Sequence, residues 1–164
     1  MKFRVFLVFF SLSICSVYSN DVICFEAENY ISKTAPIKSI DAKDASKKVL
    51  SIAQGAGEGK KVGGDATYKF EVNDKGRYII WARVFWLDSC GNSFDISVNG
   101  GPKFTFGNNG TYKKWHWVKS KVKIKLKKGK TTLKIFNRED GIQIDQFFIT
   151  KDRYKVPVGI ESTF

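Results

Sequence analysis

Between residues 86 and 92 the chain reads W-L-D-S-C-G-N, setting an indole, a carboxylate, a thiol and an amide close together. An amide both donates and accepts hydrogen bonds, and an indole offers a broad apolar face with one polar N–H. Trp86, Asp88 and Asn92 are therefore candidates for holding a ligand. Support for catalysis is thinner. The chain has a single histidine, His116, set between Trp115 and Trp117. A lone strand histidine supports neither a Ser-His-Asp triad nor a histidine-based zinc cluster. Asp88 with Glu139 is a conceivable carboxylate pair for glycoside hydrolysis, but no spacing singles it out. The residues favour a binding protein over an enzyme.

The element that must position this loop is the stretch before it, residues 76–91. From Tyr78 to Phe85 it is apolar and aromatic, broken only by Arg83. Such a run reads as a central strand covered on both faces. Residues 22–28, 48–53, 66–72, 93–98, 104–106, 115–119, 121–126, 131–138 and 143–150 read as further strands. Residues 73–76 read as a turn, making a hairpin of the strands on either side. Asn99-Gly100-Gly101 is a second tight-turn signal. Residues 29–45 look irregular. Residues 54–65 hold five glycines and read as a mobile loop with no phosphate-binding pattern. The tail, residues 151–164, looks extended over the surface. No long segment has a helical period, so the pattern indicates one all-β domain, a sandwich or barrel.

Residues 1–19 fit a secretory signal peptide: Lys2 and Arg4, an apolar core, then V-Y-S before Asn20. The apolar stretch is short for a membrane span, and Ile14 before Cys15 argues against a lipid anchor. The expected mature protein, residues 20–164, is secreted, at the cell surface or periplasmic. Losing Lys2 and Arg4 takes the formal charge from +12 to +10. Lysines crowd residues 113–130, a pattern that matches one solvated strand face and also edge protection. As a binding feature it points, in an exported protein, to an acidic polysaccharide rather than nucleic acid. Cys24 and Cys90 would be left, either as one disulfide or as two free thiols.

Taken in order, F-E-A-E-N, A-T-Y-K-F-E-V, G-R-Y-I-I-W-A-R-V, S-F-D-I-S-V-N-G, T-Y-K-K-W-H-W-V, K-K-G-K-T-T-L-K-I and G-I-Q-I-D-Q-F-F-I-T span residues 24–150. That order resembles the carbohydrate-binding modules of families 6 and 35. The resemblance implies a galactose-binding-domain-like β-sandwich jelly roll. It also implies a structural calcium on Glu26, Glu28 and Asp145. Glu26 and Glu28, two apart on a strand, share a face, and calcium takes hard oxygens of this kind. The sugar site implied by the resemblance uses Tyr112 as a stacking aromatic and Gln143, where the family has Asn, as a hydroxyl partner. Trp86, Asp88 and Asn92 would extend that cleft, with Trp86 either a ligand platform or a core aromatic. Trp115 aligns with a core position. The aromatic that the family places in the loop at residues 54–65 is missing. The expectation is a secreted, non-catalytic module for a polysaccharide, acidic or sulfated where the lysines take part, in one class. In another class stands a structural or adhesive surface protein that has lost the sugar site.

Overall fold

The computed structural model describes residues 22–163; the expected signal peptide lies outside them. The chain folds as an all-β sandwich of two antiparallel sheets. The larger sheet is built on β6 (Gly76–Trp86) and β12 (Ile142–Thr150), which pair along most of their length. The far side of β6 is shared by β9 (Trp115–Lys119) and β10 (Ile124–Leu126). The far side of β12 is shared by β1 (Val22–Glu26) and β4 (Lys48–Ile52), with β3 (Lys38–Asp41) outside β4. The second sheet runs β2 (Ser32–Lys33), β5 (Asp65–Val72), β11 (Gly129–Phe136), β7 (Ser93–Val98), β8 (Phe104–Gly107). Among the described residues no helix is long and apolar enough to cross a membrane.

Strand parity decides what each face meets. Ile80, Ala82, Val84 and Trp86 of β6 point into the core against Phe94, Leu133 and Phe147. The alternate residues Trp81, Arg83 and Phe85 point outward. A solvated outer face would be polar, yet this one is aromatic, because it is covered. The 42–47 loop lies over it, with Asp44 and Lys43 carbonyls accepting from Arg83 and the Trp115 indole. The C-terminal tail lies over it too, through Trp117 to the Gly159 carbonyl at 2.9 Å. The tail also clamps Gln146, whose amide exchanges two hydrogen bonds with the Glu161 backbone. The two-sided apolar pattern of residues 78–85 thus has its physical cause in a second cover.

Four expectations need correction. The strands flanking residues 73–75 do not form a hairpin: β5 pairs with β2 and β11, while β6 belongs to the other sheet. The turn crosses between sheets, which lets both strands bury a core face. Residues 121–126 are not one strand. Ser120 folds the chain into a bend by donating to the Val122 carbonyl and accepting from the Ile80 amide, and only Ile124–Leu126 resumes pairing. The glycine-rich stretch carries a short helix, α1 (Gly59–Val62), and residues 29–45 supply β2 and β3. Finally, Cys24 and Cys90 are both free thiols. Cys24 lies opposite Phe148, whereas Gly91 abuts residues 140 and 141 at the start of β12. Seven strand residues separate those levels, roughly 23 Å at about 3.3 Å per residue, and a disulfide needs Cα atoms within about 7 Å.

Candidate functional site

One end of the sandwich gathers four long connections: residues 53–64, 87–92, 108–114 and 137–141. Backbone contacts lock them to one another. Asn137 donates its side-chain amide to the Gly57 and Gly63 carbonyls at 3.0 and 2.9 Å, and its backbone amide to Gly64. Asp140 accepts from the Gly57 amide at 2.9 Å. The glycine-rich connection, expected to be mobile, is therefore anchored at several points. Its glycines serve close approach: a Cβ on Gly59 would stand 1.7 Å from the Asn137 carbonyl oxygen. Gly91 is pressed against the Asp140 carbonyl in the same way, 2.4 Å from a notional Cβ. Glu139 completes the lock, accepting from the Asn92 amide and the Ser93 hydroxyl and pairing with Arg138.

Within this frame the predicted ligand residues part company. Trp86 is fully buried, 0 % exposed, with its indole N–H on Asn109 at 3.0 Å and its ring near Phe94 and His116. Its parity sends it inward with Val84, so it caps the core and offers no face to a ligand. Asn92 is 5 % exposed and donates to the Ser89 carbonyl. It too presents nothing outward. Asp88, half-exposed, accepts from the Cys90 and Gly91 amides at 2.8 and 3.1 Å, a turn-forming role. These three shape the loop rather than line a cleft. His116 is bonded to the Lys114 carbonyl and held near Asn109, and burial lowers its pKa below the ordinary value.

Gln143 and Tyr112 remain available. Gln143 lies in a shallow cavity of about 110 Å³, lined also by Ser51, Gln54, Phe85, Leu87 and Gly141. Tyr112 is half-exposed, packed on the core, one residue before Lys113, whose amide bonds the Trp86 carbonyl. The rung Gln143–Phe85–Trp115 places β6 between them. Two strand spacings, roughly 9.6 Å, therefore separate β12, which carries Gln143, from β9, which starts three residues after Tyr112. Tyr112 does not line the Gln143 cavity. The aromatic beside Gln143 is Phe85, in edge contact with Trp115 at 5.6 Å. Sequence reasoning missed Phe85 and placed Trp115 in the core. It lies instead on the outer face, where Arg83 stacks at 5.1 Å. Register against Gln143 is the only signal for Phe85, and register is invisible until the sheet is assembled.

The three acidic residues converge at another place, under the 42–47 loop. Asp145 occupies a β-bulge in β12 and is fully buried. It pairs with Arg83 at 2.5 Å and accepts from the Ser46 amide and hydroxyl at 3.0 and 2.8 Å. Glu26 accepts from Ser46 and from Gln146. Glu28 is different: its Oε2 is buried with no hydrogen-bond partner. Burial, then the nearby Glu26 and Asp145 charges, raise its pKa above the usual carboxylate value, against the pull of its own backbone amide and of Lys47. An orphaned carboxylate oxygen beside two further carboxylates is donor chemistry that fits a hard cation. As arranged, Arg83 and Ser46 hold the other oxygens, and among the described residues no three His, Cys, Asp or Glu side chains form a ready ligand set. Cys24, next to this cluster, has its thiol pushed up to about 12, first by burial and then by Glu161, Glu26 and Asp145. It is an inert packing group.

Comparison with known proteins bears on the fold. No family model matches the chain. The C-terminal family 6 module of a laminarinase from Zobellia galactanivorans superposes with a TM-score of 0.60 and 18% identity, over 79% of this chain and 99% of that one. A family 35 module from Clostridium thermocellum gives 0.59 and 19%, over 77% and 97%. A module from Cellvibrio mixtus lichenase 5A, solved with cellotriose, gives 0.58 and 17%, over 79% and 97%. The fold is that of carbohydrate-binding modules of families 6 and 35. A protein of Formosa agariphila known as uncharacterized protein P23 is 27% identical over 56% of this chain. The chain spans about a quarter, 26%, of that relative's length.

Proposed function

We propose that the chain is a secreted, non-catalytic carbohydrate-binding module that takes a polysaccharide at the loop end. The observation that carries this is the Gln143 cavity. An amide that donates and accepts stands beside a half-exposed aromatic, Phe85, in a frame locked by backbone hydrogen bonds. A sugar ring needs both: hydroxyls to pair with the amide and C–H groups to cover the ring. Tyr112, across β6, extends the surface to a second sugar residue. The fold's occurrence in the laminarinase and lichenase modules supports the same reading.

Calcium, held by Glu26, Glu28 and Asp145, belongs to this proposal as a structural ion. It would supply the charge that the Glu28 oxygen lacks and fasten the 42–47 loop to β1 and β12. Asp145 lies two residues from Gln143 on β12, so removing the ion would loosen the outer cover next to that cavity.

The test is a screen of the purified protein on a glycan array and in polysaccharide gels, with and without EDTA. Retention on at least one polysaccharide, weakened by Gln143→Ala, is expected. A folded protein that is retained on none would leave the structural or adhesive role in its place.

A further inference from the structure

The end of the sandwich opposite the loop cluster is formed by the β5–β6 turn, the start of β6, β10 and the turn into β11. Lys75, Arg77, Lys123, Lys125, Lys127 and Lys128 all stand there exposed. All but Lys123 line an open cleft of about 790 Å³ whose floor is Gly76 and Leu126; Lys123 stands just before β10. None of the six makes an ion pair with another described residue. The acid on the cleft wall, Asp74, is held by Lys151 at 3.4 Å.

The register makes the arrangement unfavourable for the isolated protein. Lys125 lies directly opposite Arg77 on the paired strand, and Leu126 opposite Gly76. Like charges directly across a sheet destabilise it. Edge protection accounts for a lysine or two, not for five cations from three segments facing one apolar floor. A concentration of unpaired charge raises the local density of a counter-ion of opposite sign, and the natural counter-ion for an extended basic cleft is a polyanion.

We infer that this basic end is a second binding surface, for an anionic polysaccharide carrying sulfate or carboxylate groups. The class of polymer rests on the sugar-binding reading of the fold; the site does not share a residue with the loop end. The chemistry also argues against nucleic acid. Single strands are held by exposed aromatics that stack on bases, and the cleft has none among its lining residues.

The probes are dextran sulfate and polygalacturonate, with a single-stranded oligonucleotide and phosphatidylserine vesicles alongside, titrated against the full mature protein at several salt concentrations. The variant K123Q/K125Q/K127Q/K128Q should lose at least tenfold in affinity for one or both anionic polysaccharides and show a shallower salt dependence. The charge-matched variant K38Q/K43Q/K61Q/K155Q should stay within twofold of wild type. Which polysaccharide responds separates sulfate from carboxylate. Equal loss in both lysine variants would reduce the effect to net charge and overturn the site. So would undiminished binding by the first variant, or tighter binding of the oligonucleotide or vesicles. Loss of neutral-glycan binding in Tyr112→Ala alone would speak to the loop end and leave this surface standing.

Discussion

The two ends of the sandwich are built on opposite principles. At the loop end, hydrogen bonds between the loops fix the frame, with the side-chain oxygens of Asn92 and Asn137 left buried and without a partner among the described residues. Asp140, Asn137 and Glu139 tie three loops together, and glycines let the backbones touch. At the basic end, Lys75, Arg77, Lys123, Lys125, Lys127 and Lys128 stand exposed and make no ion pair with another described residue. The first is what recognition of a particular hydroxyl pattern requires: fixed groups that lose little freedom on binding. The second is what capture of a polyelectrolyte requires, since long-range attraction demands charge density and no fixed geometry. Specificity and retention can thus reside at different places in one small domain.

Breaking the order of the loop end should have the largest effect. Trp86→Ala removes a fully buried indole under that end, and core aromatic truncations cost about 3–5 kcal/mol. Denaturant unfolding should show this loss, and any neutral-glycan binding should fall with it. If stability were unchanged, Trp86 would be a surface platform after all.

The acidic cluster gives a smaller effect whose sign is informative. Glu28 has a raised pKa, so without a cation its folded-state charge is unfavourable. Its contribution to stability is present below the ordinary carboxylate value and is lost as pH rises through the raised one. In EDTA at neutral pH, Glu28→Gln should therefore raise the melting temperature, by roughly 2–4 °C per kcal/mol recovered. In calcium the same substitution should lower it. A melting temperature indifferent to both EDTA and the substitution would remove calcium from the account.

His116 should give the smallest effect. Its pKa is lowered, chiefly by burial, so its contribution is complete above its ordinary value and is lost as pH falls below about 6.5. His116→Gln should flatten that part of the stability-against-pH curve. Both ends should keep their ligands, because the ring faces Trp86 and neither cleft.

Much of this could be read from residue order. Residues 93–98 and 115–119 form strands with the expected bounds, since alternation and flanking turn residues act locally. The grouping of Glu26, Glu28 and Asp145 comes from the family resemblance and not from spacing; of the three, Glu26 and Asp145 share Ser46 as a partner. What sequence left open depends on which strands meet. The turn at residues 73–75 looks like a hairpin because local signals are the same whether the next strand returns or changes sheets. Trp86 and Phe85 differ by one position in parity, and an uninterrupted apolar run carries no parity mark. Of the two readings of Trp86, platform and core aromatic, the buried indole fits the second, and the phenyl ring of Phe85 comes beside Gln143. The cover over the outer face, drawn from the 42–47 loop and the tail, has no periodicity to announce it.

The most direct test of the central claim is affinity electrophoresis of the wild-type protein, Tyr112→Ala and Gln143→Ala in gels containing a panel of neutral polysaccharides. Retardation of the wild type by at least one polysaccharide is expected. Each substitution should weaken it, Tyr112→Ala by about tenfold, equivalent to about 1.4 kcal/mol and within the range of a lost aromatic contact. Retardation that survives both substitutions undiminished, or a folded wild type that no neutral polysaccharide slows, would contradict the loop end as the sugar site.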